Sequence, residues 1–163
     1  QSALLGIYYR TKNFDEVKNV LENQIAQSEN DDPALRFKIA QADLMAGKGD
    51  EAVAYAEKYL SGSDATSFQL QMLASVYEKA GRNDAALETL DTAINLEKND
   101  QQRVSMQFNK VEMMKRNKEY EGAENLLREI IADSGDDQQV VSRAKGEIIK
   151  IYQIQGKLSE LNL

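Results

Sequence analysis

One separation of twelve residues recurs along the chain and limits its fold more than any other feature of the sequence. In each of five places, an apolar residue on one amphipathic segment is followed twelve positions later by another on the next segment. The distance from one pair to the next varies, being 35, 34, 37 and 38 residues. A fixed spacing within pairs and a variable spacing between them predict rigid helix–turn–helix units whose insertions fall in surface connections. The pairs are Leu5 and Val17, Ala40 and Ala52, Ala74 and Ala86, Val111 and Ala123, and Ile149 and Leu161.

The small residues in these pairs predict that the two helices of a unit pack closely. Two antiparallel helices approach to about 8–10 Å, depending on the side chains at their contact. Alanine opposite alanine in the second and third units allows the short end of that range. Larger apolar residues such as Tyr77 and Leu90 surround the third pair. One hairpin cannot bury so much apolar surface alone, so we predict that each hairpin stacks on its neighbours.

The third unit, LASVYEKAGRNDAALETLDTAINLEKN, carries small and aromatic residues at defined spacing. Ala74 and Tyr77 lie on its first helix, Gly81 in the turn, and Ala86 and Leu90 on its second helix. This unit resembles the tetratricopeptide repeat (TPR) family. The pattern of that family is roughly W-x2-L-G-x2-Y, followed by alanine, an aromatic residue and proline, with a period of 34 residues.

The resemblance covers essentially all 163 residues, with defined departures from the family pattern. The tryptophan and the closing proline are missing from every unit, and Asp43 and Met114 stand in place of the tyrosine. The resemblance implies an all-α fold, a right-handed α-solenoid of about four and a half TPR-like units. We expect a single domain over residues 1–163, with repeats at approximately 1–30, 31–64, 65–101, 102–138 and an incomplete 139–163.

The two ends of the chain differ from those of a finished repeat array. The first helix has barely ten residues, and the sequence stops at GKLSELNL, about two turns into an expected final helix. Repeat arrays normally end in a capping unit with a polar outer face, whereas LSELNL ends on leucine. We therefore expect a segment of a longer protein. The alternative is a short final helix that serves as its own cap. We also expect that terminal hairpins without a capping unit allow the protein to self-associate.

Composition excludes several classes of function. The net charge is −7, because 27 acidic residues outnumber 20 basic ones. This excess of negative charge argues against a nucleic-acid partner. With no histidine and no cysteine, the chain has no imidazole or thiolate to bind zinc or to act in a nucleophilic catalytic site. No stretch reaches the roughly 18 to 20 apolar residues that cross a membrane. Cytoplasm and periplasm are both compatible with a chain that lacks cysteine.

Three short motifs have simple structural interpretations. In NDDP, Asp32 is predicted to cap a helix that begins at Pro33. The acidic segment DSGDDQ lacks the alternating ligands and distal glutamate of a calcium-binding loop. AGKGDE lacks the spacing, the Ser/Thr and the preceding strand of a phosphate-binding loop. We therefore predict no metal, no cofactor and no catalytic residue.

The resemblance places a partner-binding surface on the first helix of each hairpin, which lines the concave groove of the solenoid. Helical geometry selects the residues that point away from the second helix. Aromatic residues and methionines mixed with Lys, Arg and Gln are typical of a peptide-binding surface, although burial in the core is the alternative for each phenylalanine. The predicted groove residues are Phe37, Lys38, Gln41, Met45, Phe68, Gln71, Met72, Ser75, Lys79, Phe108, Asn109, Glu112 and Arg116, and Arg143, Glu147 and Lys150 continue the pattern.

Some TPR proteins bind the carboxylate tail of chaperones through a clamp of Lys, Asn and Arg residues on three groove helices. In the frame beginning at Gln71, only Asn109 and Arg143 match, and Glu147 occupies a position that requires a cation. The sequence thus predicts a non-catalytic scaffold that binds a partner protein or an extended peptide, but not a chaperone-tail receptor. The alternative is a rigid spacer or oligomerisation module within a larger enzyme or an envelope- or secretion-associated protein.

Overall fold

The structure, a computed structural model, describes residues 2–163, which form α-helices joined by short turns. No β-strand occurs within this range, so the all-α prediction is confirmed. Successive helices pair as the twelve-residue spacing predicts. The elements are α1 (Ser2–Arg10), α2 (Phe14–Gln27), α3 (Pro33–Met45), α4 (Gly49–Leu60), α5 (Ser67–Lys79), α6 (Asn83–Leu96), α7 (Asp100–Arg116), α8 (Tyr120–Asp133), α9 (Gln138–Ile154) and a 3₁₀ turn (Leu158–Glu160).

The turn after the first helix of each unit contains a residue with left-handed backbone geometry. These residues have φ between +56° and +82° and are separated by the same 35, 34, 37 and 38 residues as the apolar pairs. The next residue donates its N–H to a carbonyl five positions earlier, as Arg82 does to Tyr77 at 2.8 Å, which satisfies a carbonyl at the helix end. The left-handed residues are Lys12, Gly47, Gly81, Lys118 and Gly156.

Side-chain caps start most of the first helices. Asp32 accepts the N–H of Ala34 at 2.9 Å and Pro33 occupies the first helical position, which confirms the prediction for NDDP. Thr66 and Gln69 form a reciprocal capping box at the start of α5. Asn99 caps α7 by accepting the N–H of Gln102, and Asp137 caps α9 by accepting those of Gln139 and Val140.

The chain divides into two compact units, and the first of them ends at Leu96. In this unit α3 packs against α2, α4 and α5, and α5 also packs against α4 and α6. The alanine pairs of the second and third hairpins are buried where their helices meet. Burial of these small side chains is what a close approach of the two helices requires. The buried pairs are Ala40 with Ala52, and Ala74 with Ala86.

The second unit runs from Glu97 to Leu163. Helix α8 packs between α7 and α9 and contacts both. Its core includes Val111, Ala123, Leu127, Ile148 and Ile151, all fully buried. The first helices α7 and α9 therefore both pack against the same second helix, as the hairpin pattern predicts.

The end of the chain differs from the predicted fifth hairpin. Instead of two helical turns, Leu158–Glu160 form one 3₁₀ turn, in which Glu160 donates its N–H to Lys157 at 2.9 Å. Lys157, at the N-cap position of this turn, makes no side-chain capping hydrogen bond, so the turn lacks a signal that starts most of the first helices. Leu161 still packs against the core of the second unit, and Arg128 donates to the carbonyl of Asn162 at 3.0 Å.

Candidate functional site

The predicted groove residues fall into three classes of exposure. The residues on the outer face of each first helix are exposed, those nearer the second helix are half-buried, and two point into the core. The exposed residues are Lys38, Met45, Phe68, Lys79, Asn109 and Arg116; the half-buried ones are Phe37, Gln41, Gln71, Ser75 and Glu112; the buried ones are Met72 and Phe108.

The structure does not support Met72 and Phe108 as surface anchors. Their exposures are 6% and 2%, so a partner could reach them only by displacing neighbouring side chains. Phe108 belongs to the core formed with Val111, Leu127 and Ile148. For this phenylalanine, the alternative of burial in the core is the one observed, because its side chain faces α8 and α9 rather than solvent.

In the first unit, α3 and α5 are neighbouring first helices that contact each other. Phe68, near the start of α5, has an exposed fraction of 59%, and Met45, at the end of α3, one of 61%. Lys38 and Lys79 are also exposed on these helices. The surface of this helix pair therefore offers separate apolar anchors among polar side chains.

In the second unit, ion pairs join α7 to α9. Lys115 Nζ lies 2.9 Å from Glu147 Oε2 and 3.3 Å from Glu112 Oε1, and Lys150 Nζ lies 3.1 Å from Glu147 Oε1. Burial raises the pKa of Glu147, but the hydrogen bonds from Lys115 and Lys150 outweigh burial, so the pKa lies below its usual value of 4.5. The pair that links α7 to α9 is mostly shielded from solvent, with Lys115 15% and Glu147 14% exposed.

A cavity of about 700 Å³ lies between the start of α7, the end of α8 and the start of α9. Its apolar wall includes Val104, Phe108 and Val140, which belong to or pack against the core of the second unit. Its polar wall includes two arginines and three aspartates. These are Arg103, Arg143, Asp100, Asp133 and Asp137.

Arg143 is the charged residue at this cavity with the most distinctive position. Its guanidinium carbon lies 3.9 Å from the centroid of the Phe108 ring, which is the geometry of a cation–π contact. The side chain is exposed and, among residues 2–163, has no carboxylate within salt-bridge distance. The ring covers one side of the guanidinium, and its N–H groups are available to a ligand.

The other charges at the cavity differ in how they are compensated. Arg103 forms an ion pair with Asp100, and Asp137 accepts the N–H groups of Gln139 and Val140, both at 3.2 Å. Asp133, at the end of α8, is exposed and makes no ion pair within the described part of the chain. Within the described part of the chain, Arg143 is thus the cation of the cavity without an ion pair, and Asp133 is the anion with neither an ion pair nor a capping hydrogen bond.

Sequence reasoning included Arg143 in the groove but missed the cavity beside it. Asp133 and Asp137 lie in the acidic segment that was considered only as a calcium-binding loop and rejected. It also missed a network around Arg36, which contacts Asp31 at 2.7 Å and Tyr55 Oη at 3.0 Å and stacks on Tyr59. No sequence signal identifies either feature, because their partners come from different helices.

Two absences within residues 2–163 bear on the site. No group of three or more carboxylates is arranged so that it could hold a metal ion. None of the helices combines the length and the apolar character that crossing a membrane requires.

Comparison with solved structures shows the class of fold. The crystal structure of a kinesin light chain-type protein of Podosopora anserina with nearly identical TPR-like repeats matches 97% of this chain and 86% of its own, at 20% identity and a TM-score of 0.66. The crystal structure of the MamA protein matches 96% of this chain and 81% of its own, at 15% identity and a TM-score of 0.57. The chain therefore has the helical repeat fold of TPR-like proteins, which confirms the predicted resemblance at the level of fold.

A larger assembly contains the same fold. The structure of Naa15/Naa10 bound to HypK-THB matches 97% of this chain but only 23% of its own length, at 15% identity and a TM-score of 0.58. No family model matches the sequence, and no curated protein does. At these identities the likeness concerns the fold, and function has to be argued from the surface of this chain.

Proposed function

We propose that this protein is a non-catalytic scaffold that binds a partner protein, or an extended segment of one, on the exposed faces of its first helices. These faces, α3 with α5 in the first unit and α7 with α9 in the second, are called the first-helix surfaces below. The observation that carries the proposal is the 700 Å³ cavity where α7 and α9 meet the end of α8, with the exposed Arg143 at its wall.

The exposed side chains support a protein partner rather than a small substrate. Phe68 and Met45 offer apolar anchors, while Lys38, Asn109 and Arg116 are exposed beside them or on α7. Protein interfaces combine such anchors with a polar rim. A neighbour with the same fold, Naa15/Naa10, is described as bound to HypK-THB, so this fold occurs in complexes with other proteins.

A second candidate, an oligomerisation or spacer module, is favoured by apolar residues at the two ends of the chain. Leu4 and Ile7 on α1 are exposed, and so are Ile154, Leu158 and Leu163. Apolar residues on the outer surface of a repeat are normally covered by a further repeat or a partner. In that case, the residues that contribute most of the binding free energy would lie at the two ends of the array.

The experiment is selection of a phage-displayed peptide library on the purified chain, followed by mapping of the selected peptides with NMR amide shifts. We expect the shifts to concentrate on α3 and α5 or on α7 and α9. Phe68→Ala should weaken peptides that map to α3 and α5 by about tenfold, because an aromatic anchor is lost. The matched control is Leu96→Ala, an exposed apolar residue at the end of α6, which should leave the affinity unchanged.

Two results would oppose the proposal. One is the absence of any enriched peptide, and the other is that selected peptides shift only the second helices. If the protein forms oligomers that Leu4→Ser and Leu163→Ser dissociate, while no peptide binds, the oligomerisation module is the better description.

A further inference from the structure

We infer that the cavity between α7, α8 and α9 binds a peptide segment of mixed charge, with an acidic residue, an apolar residue and a basic residue close together. The acidic group pairs with Arg143 and the basic group with Asp133. The apolar side chain covers the wall formed by Val104 and Val140. This inference rests on the proposed function and specifies the chemistry of one partner segment at the second unit.

Arg143 is prepared for a carboxylate. Its guanidinium carbon lies 3.9 Å from the centroid of the buried Phe108 ring, so one side of the group is covered before a ligand arrives. The planar N–H edge of arginine matches the two oxygens of a carboxylate, and such charge-assisted pairs are stronger than neutral hydrogen bonds. Since the other cation of the cavity, Arg103, is already paired with Asp100, Arg143 is the group that selects the acidic residue.

Asp133 selects the opposite charge. It lies at the last position of α8, where the helix dipole disfavours an anion and favours a cation. Within residues 2–163 it has no ion pair, so a lysine or arginine of the ligand would provide the missing charge. Three aspartates in the cavity also oppose a polyanion such as nucleic acid, which leaves a segment with single charges of both signs.

The cavity has the size and the apolar wall for such a segment. Its volume of about 700 Å³ falls within the roughly 300–1,000 Å³ typical of ligand sites. Val104 and Val140 are half-buried, so a ligand side chain can remove their remaining surface from water. The N-terminus of α9 is already satisfied by Asp137 and adds no anion site.

The test uses an array of nine-residue peptides on a Ser/Gly background that carry one Glu, one Leu and one Lys in every order. Binding is measured by fluorescence anisotropy and mapped by the NMR signals of the Phe108 ring and the Arg143 Nε–H. We expect a subset to bind and to shift both signals. Replacing Glu with Gln in these peptides should weaken binding by about tenfold, as loss of a charge-assisted pair does.

Paired variants separate the two charges. Arg143→Gln should weaken Glu-containing peptides about tenfold and leave their Gln counterparts unchanged, whereas Asp133→Asn should weaken only peptides that contain Lys. The matched controls are Lys145→Gln, an exposed cation on α9, and Asp136→Asn, an exposed anion that does not line the cavity. Both controls should bind like the unmodified protein.

The outcomes distinguish this inference from the proposed function. If phage-selected peptides bind the first-helix surfaces, but no array peptide shifts the Phe108 ring, the inference is wrong and the proposed function stands. The inference is also wrong if Arg143→Gln and Lys145→Gln weaken binding equally. If neither the phage-displayed library nor the peptide array yields a peptide that binds, both the proposed function and this inference are contradicted.

Discussion

Lys18 on α2 and Asp43 on α3 form an ion pair, with Nζ and Oδ1 separated by 2.9 Å. The Asp43 side chain is 3% exposed and that of Lys18 is 31% exposed. The pair joins the first hairpin to the second. Asp43 occupies the position of the family tyrosine, and in the last repeat Tyr152 occupies that position and donates to Glu124 at 2.9 Å.

We expect Lys18→Met to lower the free energy of unfolding by about 2 kcal/mol, since it leaves a buried carboxylate without its cation. The partial exposure of Lys18 keeps this figure below the 3–5 kcal/mol of a fully buried pair. The double variant Lys18→Met with Asp43→Leu should recover most of the loss. Urea unfolding of the parent, Lys18→Met, Asp43→Leu and the double variant measures the coupling free energy between the two side chains.

Lys98→Met, at an exposed position, is the matched control and should change the unfolding free energy little. Equal stability of Lys18→Met and Lys98→Met would show that the ion pair does not contribute.

The five hairpin turns provide a second prediction. Lys12 and Lys118 have φ of +56° and +61°, in positions where the other units have glycine. A residue with Cβ is strained in this region, so Lys12→Gly and Lys118→Gly should each stabilise the protein by about 0.5–1 kcal/mol, after the greater entropy of unfolded glycine is subtracted. Gly81→Ala should lower stability by about 1 kcal/mol, because its φ is +82°. Denaturant midpoints check all three, and a less stable Lys118→Gly variant would contradict the argument.

The lowered pKa of Glu147 predicts that the stability of the protein decreases at acidic pH. Its pKa lies below its usual value of 4.5, so it contributes stability that is present above pH 4.5 and is lost as pH falls through its pKa in the folded protein. Glu147→Gln should therefore be less stable than the parent at neutral pH but should lose less stability on acidification. Unfolding midpoints between about pH 7 and pH 3 measure this difference.

The partner variant Lys115→Met offers an independent check of the acid dependence, because it removes a hydrogen-bond donor that lowers the pKa of Glu147. It should also flatten the acid side of the stability profile. Profiles that stay parallel to that of the parent would rule out this role for the pair.

The raised pKa of Tyr77 predicts that the stability of the protein decreases at alkaline pH. Burial and the hydrogen bond that its hydroxyl donates to Glu57, at 2.7 Å, raise the pKa of Tyr77 from 10.0 to about 12. Its contribution to stability is therefore present below pH 10 and is lost as pH rises through 12. Tyr77→Phe should cost about 1 kcal/mol at neutral pH, and its stability should approach that of the parent between these pH values. A difference that stays constant up to pH 12 would contradict the prediction.

Much of the fold could be predicted because its signals are local. The twelve-residue pairs identify the helices that pack, and the left-handed turn residues recur with the same spacing. Asp32 before Pro33 is a capping signal contained in two adjacent residues. The second helix of the final hairpin was predicted wrongly: the apolar pattern continues to Leu161, but Leu158–Glu160 form one 3₁₀ turn that has no side-chain cap.

The candidate site was predicted less completely. Helical geometry correctly places Lys38, Phe68 and Asn109 on exposed faces, but the same geometry also selects Met72 and Phe108, which are buried. A helix that contacts neighbours on more than one side has a wider buried face than a single hairpin requires. The sequence of a single helix does not show how wide its buried face is.

The sequence by itself determined the repeat, its turns and the small residues that allow close packing, because each depends on residues less than one repeat apart. Only the tertiary structure decided that Asp43 meets Lys18, that Arg143 covers Phe108, and that a cavity opens beside Asp133. These contacts depend on the offset between stacked helices. That offset follows from the packing of all the side chains at the contact, so no local pattern encodes it.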